Sequence, residues 1–277
     1  MAADKSLEKS ALMVATLTSF MGPFTVSSVN VALPAIQADF SADAVVLSWV
    51  ATSYLLAIAV FLVPFGKAAD IYGRKKIFTW GLVLYTFSSF LAVFSFSMEM
   101  LITMRMLQGF GSAMFVTTGM AILTSVFAPA KRGRAIGIYV SAVYIGLSVG
   151  PFAGGFLVRY LGWQSIFAVV VPFGALSIFT TMRYLKGEWA DARGETLDIP
   201  GSVLYGFSIL ALVYGASLLP RSVAVYFIIV GLAGLGFFIR LEMSVRYPVF
   251  EVRLFNQNKL FTFSSLAALI NYSATFA

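Results

Sequence analysis

The sequence contains neither cysteine nor histidine. Without cysteine there is no disulfide, no thiolate nucleophile and no thiolate metal ligand. Without histidine the chain lacks the side chain that titrates near neutrality unaided and serves most often as a metal ligand. Charge is scarce too: 11% of residues are Asp, Glu, Lys or Arg, against about a quarter in soluble domains. These absences leave few groups for enzyme chemistry, so no enzyme, metal or cofactor is expected. What is plentiful is apolar. The chain is 60% hydrophobic, with 27 Phe, 23 Gly and 11 Met. Its mean hydropathy is +0.90. Soluble domains run about 45–50% apolar, so the expected surroundings are a lipid bilayer. The net charge of +7 would suggest a nucleic-acid partner in a soluble protein. Here the cations cluster beside apolar runs, which ties them to topology and lipid headgroups instead.

A spanning helix needs about 20 mostly apolar residues. Such runs occupy roughly 11–36, 46–66, 77–97, 100–127, 135–158, 164–184, 199–219 and 223–242, with part of a ninth at 260–277. The first is too long for a signal-peptide core and has no cleavage site after it. With the N-terminus placed inside, the inner segments hold sixteen of the 19 Lys and Arg residues, from Lys5 to Lys259. The outer segments hold Arg159 and Arg221, and Arg105 remains within a span. That asymmetry predicts a cytoplasmic N-terminus. The spans divide the chain into six helices (1–187), a polar cytoplasmic linker (188–198), a further helix pair (199–242), and a cytoplasmic loop with an incomplete ninth helix (243–277). A weak repeat supports two inverted halves among the six helices, since Gly66, Asp70 and Gly73-Arg74 reappear as Gly155, Arg159 and Gly162-Trp163. The last run stops without a flanking anchor, so the sequence reads as part of something longer.

Three stretches carry finer information. Gly66-Lys67-Ala68-Ala69-Asp70-Ile71-Tyr72-Gly73-Arg74-Lys75-Lys76 puts five charges into eleven residues between spans 2 and 3. Its plain reading is a solvated basic turn, with Asp70 placed to interact with a helix N-terminus. Span 4 contains Arg105-Met106-Leu107-Gln108-Gly109-Phe110-Gly111. A charge at a helix centre costs at least about 2.5–3.5 kcal/mol, so Arg105 faces a partner or a cavity, or snorkels to the nearby interface. Gln108 shares its helix face. Span 5 contains Gly146-x-x-x-Gly150-Pro151-x-x-Gly154-Gly155, a face for close helix packing with a proline that removes a backbone donor.

Together these stretches resemble the signatures of the major facilitator superfamily. Gly66, Asp70, Gly73, Arg74, Lys75 and Lys76 match its loop between helices 2 and 3. Arg105, Gln108, Gly109 and Gly111 match its span-4 motif. Gly146, Gly150, Pro151, Gly154 and Gly155 match the motif of its antiporter branches. Val29-Asn30-Val31-Ala32-Leu33-Pro34-Ala35-Ile36 resembles the span-1 signature of the fourteen-helix drug/proton antiporter branch, which the extra helix pair also fits. The resemblance implies an all-α polytopic membrane protein whose six-helix N-terminal bundle is a 3+3 inverted repeat. It implies a secondary active transporter of the cell membrane, exporting drug-like or amphiphilic small molecules by alternating access with protons as the coupling ion. Arg105 and Gln108 would serve coupling, Gly66, Asp70, Gly73 and Arg74 the conformational loop, and Thr25, Asn30 and Tyr54 the substrate cavity. An aromatic such as Tyr54 fits packing equally well. The branch usually carries an Asp where this sequence has Thr25, and threonine cannot titrate. No other acid of the first six spans sits mid-membrane, so an unpaired cavity arginine would favour anionic or neutral substrates. The alternative is a non-transporting fragment, or a half-subunit needing a complementary C-terminal bundle from a partner.

Overall fold

The computed structural model describes residues 2–276, without the side chains of 2–4, 271, 272 and 274–276. Met1 and Ala277, where the expected first domain begins and the run 260–277 ends, lie outside it. The described chain is a succession of helices: α1 (Ala2–Phe40), α2 (Ala44–Tyr72), α3 (Arg74–Val93), α4 (Met98–Val126), α5 (Pro129–Leu161), α6 (Gln164–Tyr184), α7 (Ile199–Ser217), α8 (Ser222–Glu242), the single turn α9 (Leu254–Gln257) and α10 (Lys259–Phe276). Among the described residues, eight helices, α1 to α8, are long and apolar enough to cross a membrane. Backbone polar groups in lipid must be satisfied within the segment, and helices do this. Polar residues mark where they begin. Asp43, Ser97 and Asp198 accept from the backbone N–H groups of Val46, Met100 and Gly201 at 2.8, 3.2 and 3.0 Å, the capping role of short polar side chains.

The chain forms two compact units, Met1–Glu195 and Thr196–Ala277. In the second, α7 packs on α8 and α9 on α10. In the first, the packing follows a twofold rule. The pair α1·α5 is matched by α4·α2, and α3·α4 by α6·α1, while α3·α6 maps onto itself. Exchanging helices 1–3 with helices 4–6 therefore reproduces the packing, as inverted repeats require. The weak sequence repeat marks equivalent corners. Gly73 ends α2 at φ 114° and its N–H donates to the Ala69 carbonyl. Gly162 ends α5 at φ 80° and its N–H donates to the Val158 carbonyl. Both conformations favour glycine.

The glycines of α5 make its seam with α1. A Cβ at Gly146 would lie 2.7 Å from the Phe20 carbonyl oxygen, and one at Gly154 2.8 Å from the Ser28 Cα. Side chains on α1 exploit that approach, as Ser28 Oγ donates to the Gly150 carbonyl at 2.9 Å and Ser19 Oγ to the Tyr139 carbonyl at 3.0 Å. Close backbone approach of this kind is how helices associate where lipid removes the hydrophobic drive. Pro151 is on the exposed side of α5, away from the seam. Gly146→Leu is expected to destabilise the bundle by about 1–3 kcal/mol, as overpacking does. Gly137→Leu, on the same helix with nothing within 4 Å of its Cβ position, should be neutral. Unfolding of both variants in detergent micelles checks this contrast.

Candidate functional site

The spans place one guanidinium deep in the first unit. Arg105 on α4 is 1% exposed. Its Nε donates to the Val50 carbonyl of α2 at 3.0 Å, and its Nη1 to Gln108 Oε1 at 2.8 Å. The guanidinium carbon stands 4.2 Å from the centre of the Tyr54 ring. A desolvated cation over an aromatic face gains about 2 kcal/mol or more. The Gln108 amide then hands the network on, its Nε2 donating to Ser89 Oγ of α3 at 2.7 Å. Ser89 Oγ donates to the Tyr85 carbonyl at 2.6 Å. An amide can accept from a cation at its oxygen and donate to a hydroxyl from its nitrogen, as Gln108 does here. Two hydroxyl pairs complete the layer: Tyr54 with Ser112, and Thr25 of α1 with Tyr85 of α3, each at 2.8 Å. Four helices are thus joined through a polar layer that, among the described residues, contains no carboxylate.

This geometry corrects one expectation. Arg105 is neither unpaired nor snorkelling, because a backbone carbonyl, an amide and a ring take up its charge. The preference for anionic or neutral substrates, inferred from an unpaired arginine in a cavity, loses that premise. Thr25 and Tyr54 are likewise buried in the bundle, whereas Asn30 is exposed on α1. The position where the branch usually carries an Asp is a threonine bonded to Tyr85 and to the Met21 carbonyl, the latter at 2.8 Å.

The second assembly is the turn between α2 and α3. Arg74 donates from Nε to Asp70 Oδ1 at 2.8 Å, from Nη1 to Ser125 Oγ at 2.8 Å and from Nη2 to Asp191 Oδ2 at 2.6 Å. Gly73 offers α3 no side-chain cap, and the stretch 188–195 supplies one. The Arg74 N–H donates to the Trp189 carbonyl at 2.8 Å, and the Lys75 N–H to Glu188 Oε1 at 2.8 Å. The Ala192 N–H donates to the Asp70 carbonyl at 2.9 Å, and Lys67 pairs with Glu195 at 2.6 Å. These contacts satisfy the orphan donors of a helix start and place negative charge against its dipole. At φ 114° the backbone angle of Gly73 selects glycine, while the atoms a Cβ would meet belong to the end of the Glu188 side chain, which can move aside. Gly66 is half-buried on α2, where its Cβ position is 4.0 Å from Thr117. Sequence reasoning missed Val50, Tyr85, Ser89 and Ser112. It also took 188–198 for a linker alone, and the acidity of that stretch opposite a basic turn was the usable signal.

A six-helix unit of two inverted halves and a further helix pair, all eight helices long and apolar enough to cross a membrane, define a polytopic helical membrane protein. The chain belongs to the Major Facilitator Superfamily, whose family model matches residues 15–277. It is 33% identical over 194 residues to the riboflavin transporter RibZ of Clostridioides difficile, covering 70% of this chain and 42% of that protein. It is 36% identical over 233 residues to the multidrug resistance protein Stp of Mycobacterium tuberculosis, covering 82% and 43%. It is 31% identical over 271 residues to the methylenomycin A resistance protein of Bacillus subtilis, covering 95% and 58%. The chain thus spans about half the length of these relatives.

Two outcomes follow from the geometry. Gln108→Leu leaves Arg105 short of an acceptor and Ser89 without its donor, and should cost about 1.5–3 kcal/mol, the contribution of a hydrogen bond to a charged group. Thermal unfolding in detergent reads this, with Gln108→Glu as the variant that restores an acceptor. Lys67→Ala with Arg74→Ala should free the 188–195 strap. Its backbone amides should then exchange hydrogen at least tenfold faster, while those of α4 stay protected.

Proposed function

We propose that the chain forms the N-terminal part of an exporter of drug-like or amphiphilic small molecules, working in the cell membrane by alternating access with protons as the coupling ion. The observation that carries this reading is the α1/α5 seam, where the antiporter-type run Gly146 to Gly155 brings two helices into backbone contact. The relatives named for multidrug resistance and for methylenomycin A resistance support export. The Lys and Arg asymmetry supports a cytoplasmic N-terminus, which puts the α2–α3 turn and its strap on the cytoplasmic face.

In this reading Arg105 and Gln108 hold the coupling region together from within the bundle, and Thr25 and Tyr54 shape its wall. Asn30, exposed on α1, is the cavity residue a solute can reach. The proton-carrying acid is assigned to a carboxylate outside the Arg105 layer, because that layer contains none. Alternating access needs a second bundle facing this one, from the same polypeptide or a complementary subunit. The intact mass of the protein extracted from its own membrane distinguishes those two sources. Gly66, Asp70, Gly73 and Arg74 act as the brace that one transport state closes upon. Asp70→Asn should therefore lower export of a fluorescent amphiphile from whole cells at least tenfold while leaving thermal stability within about 1 kcal/mol, since a partly exposed ion pair contributes no more. Normal export by that variant would sink the brace.

A further inference from the structure

A basic hollow lies at the ends of three helices on the face where α1 begins. It is lined by Glu8, Lys9 and Leu12 of α1, by Phe127 after α4, and by Ala130, Lys131, Arg134, Ala135 and Ile138 of α5, and its volume is about 520 Å³. Its composition is layered. Phe127 and Ala135 are buried, at 8% and 2% exposure, and with Leu12 they give it an apolar floor. The rim is cationic. Lys131 bonds Glu8 Oε1 and Oε2 at 3.0 and 3.1 Å. Lys9 and Arg134 are exposed and have no ion pair among the described residues. One acid against three cations leaves the rim with a surplus of two positive charges.

From the lip of this hollow an apolar stripe runs along α5. Ile138, Ile145, Val149 and Phe152 fall on one helix face and are 38%, 54%, 42% and 83% exposed. A cationic rim over an apolar floor, continued by an apolar stripe down a membrane-crossing helix, matches a molecule with an anionic head and long acyl tails. A soluble anion would use the rim and gain nothing from the stripe.

We propose that this hollow binds an anionic phospholipid, its phosphate between Lys9 and Arg134 and its acyl chain along the Ile138–Phe152 stripe. Basic pockets between helix ends at the membrane surface hold such headgroups by charge. Glu8 acts as a built-in competitor, occupying Lys131 when no phosphate is present. The proposal rests on the helices crossing a bilayer and not on the transport reading, so a chain that exports nothing should still bind the lipid.

The test is a thermal-shift titration of the chain in nonionic detergent with phosphatidylglycerol, phosphatidylcholine or inorganic phosphate. Phosphatidylglycerol should raise the melting temperature in a saturable way, and the other two should not. Lys9→Gln with Arg134→Gln should weaken phosphatidylglycerol binding roughly fivefold per removed cation, with the lipid-free melting temperature unchanged. Glu8→Gln should tighten it, an outcome that a merely structural ion pair would not give. Equal shifts with phosphatidylcholine would overturn the proposal, as would phosphatidylglycerol affinity unaltered in the double variant. A shift with inorganic phosphate as large as with the lipid would reassign the rim to a soluble anion and equally overturn it.

Discussion

Four of the six helices in the first unit are tied together around one buried positive charge. Arg105 has left water without meeting a carboxylate, and an isolated ion in that position costs several kcal/mol. The bundle offsets the cost with dipoles: the Val50 carbonyl, the Gln108 oxygen and the face of Tyr54. Each partner lies on α2 or α4, and Gln108 extends the network to Ser89 on α3. A charge that must be satisfied from several sides fixes the register of the helices supplying its partners. Apolar side chains alone fix it less strictly, since lipid and protein interior are about equally apolar. The two apolar clusters of the unit meet at this layer, for Val50 belongs to one and Tyr54 to the other.

The inverted symmetry explains why the two membrane faces use the same corner for different ends. At one face Gly73 turns the chain and Arg74 reaches the carboxylates of Asp70 and Asp191. At the other, Gly162 turns it at the equivalent point, and Trp163 donates its indole N–H to Asp39 at 2.6 Å. An indole with one donor makes a fixed anchor, buried against Phe40 and Phe167. A guanidinium with five donors holds several partners that can be exchanged. The strap 188–195 gives that corner acidic partners within the same unit, through Glu188, Asp191 and Glu195.

The spans were legible because a run of about 20 apolar residues has few alternatives. Their ends were not. α1 begins nine residues before the expected 11, and α5 starts at Pro129 rather than 135. Both extensions are polar helix that hydropathy does not mark, and they build the rim around Lys9 and Lys131. α9, a single turn, has too few residues to show a period. Within the site, Arg105 and Gln108 were legible from their rarity and spacing. Val50 was not, because its contribution is a backbone carbonyl, and neither were Ser89 and Tyr85, which look like ordinary residues of a packed helix. The glycine seam of α5 was legible as a seam, but its partner helix was not, since close approach is written into α5 while α1 contributes mainly backbone and serines.

The central claim is that Arg105 is sealed in the bundle and held by neutral partners. The most direct measurement is hydrogen exchange at arginine Nε–H by ¹⁵N NMR in detergent, with the resonance assigned by its loss in Arg105→Lys. Burial with a carbonyl acceptor predicts an Arg105 Nε–H that exchanges at least a hundredfold more slowly than that of exposed Arg159. Equal exchange at the two residues would mean that water reaches the guanidinium, and the account of the polar layer would be wrong.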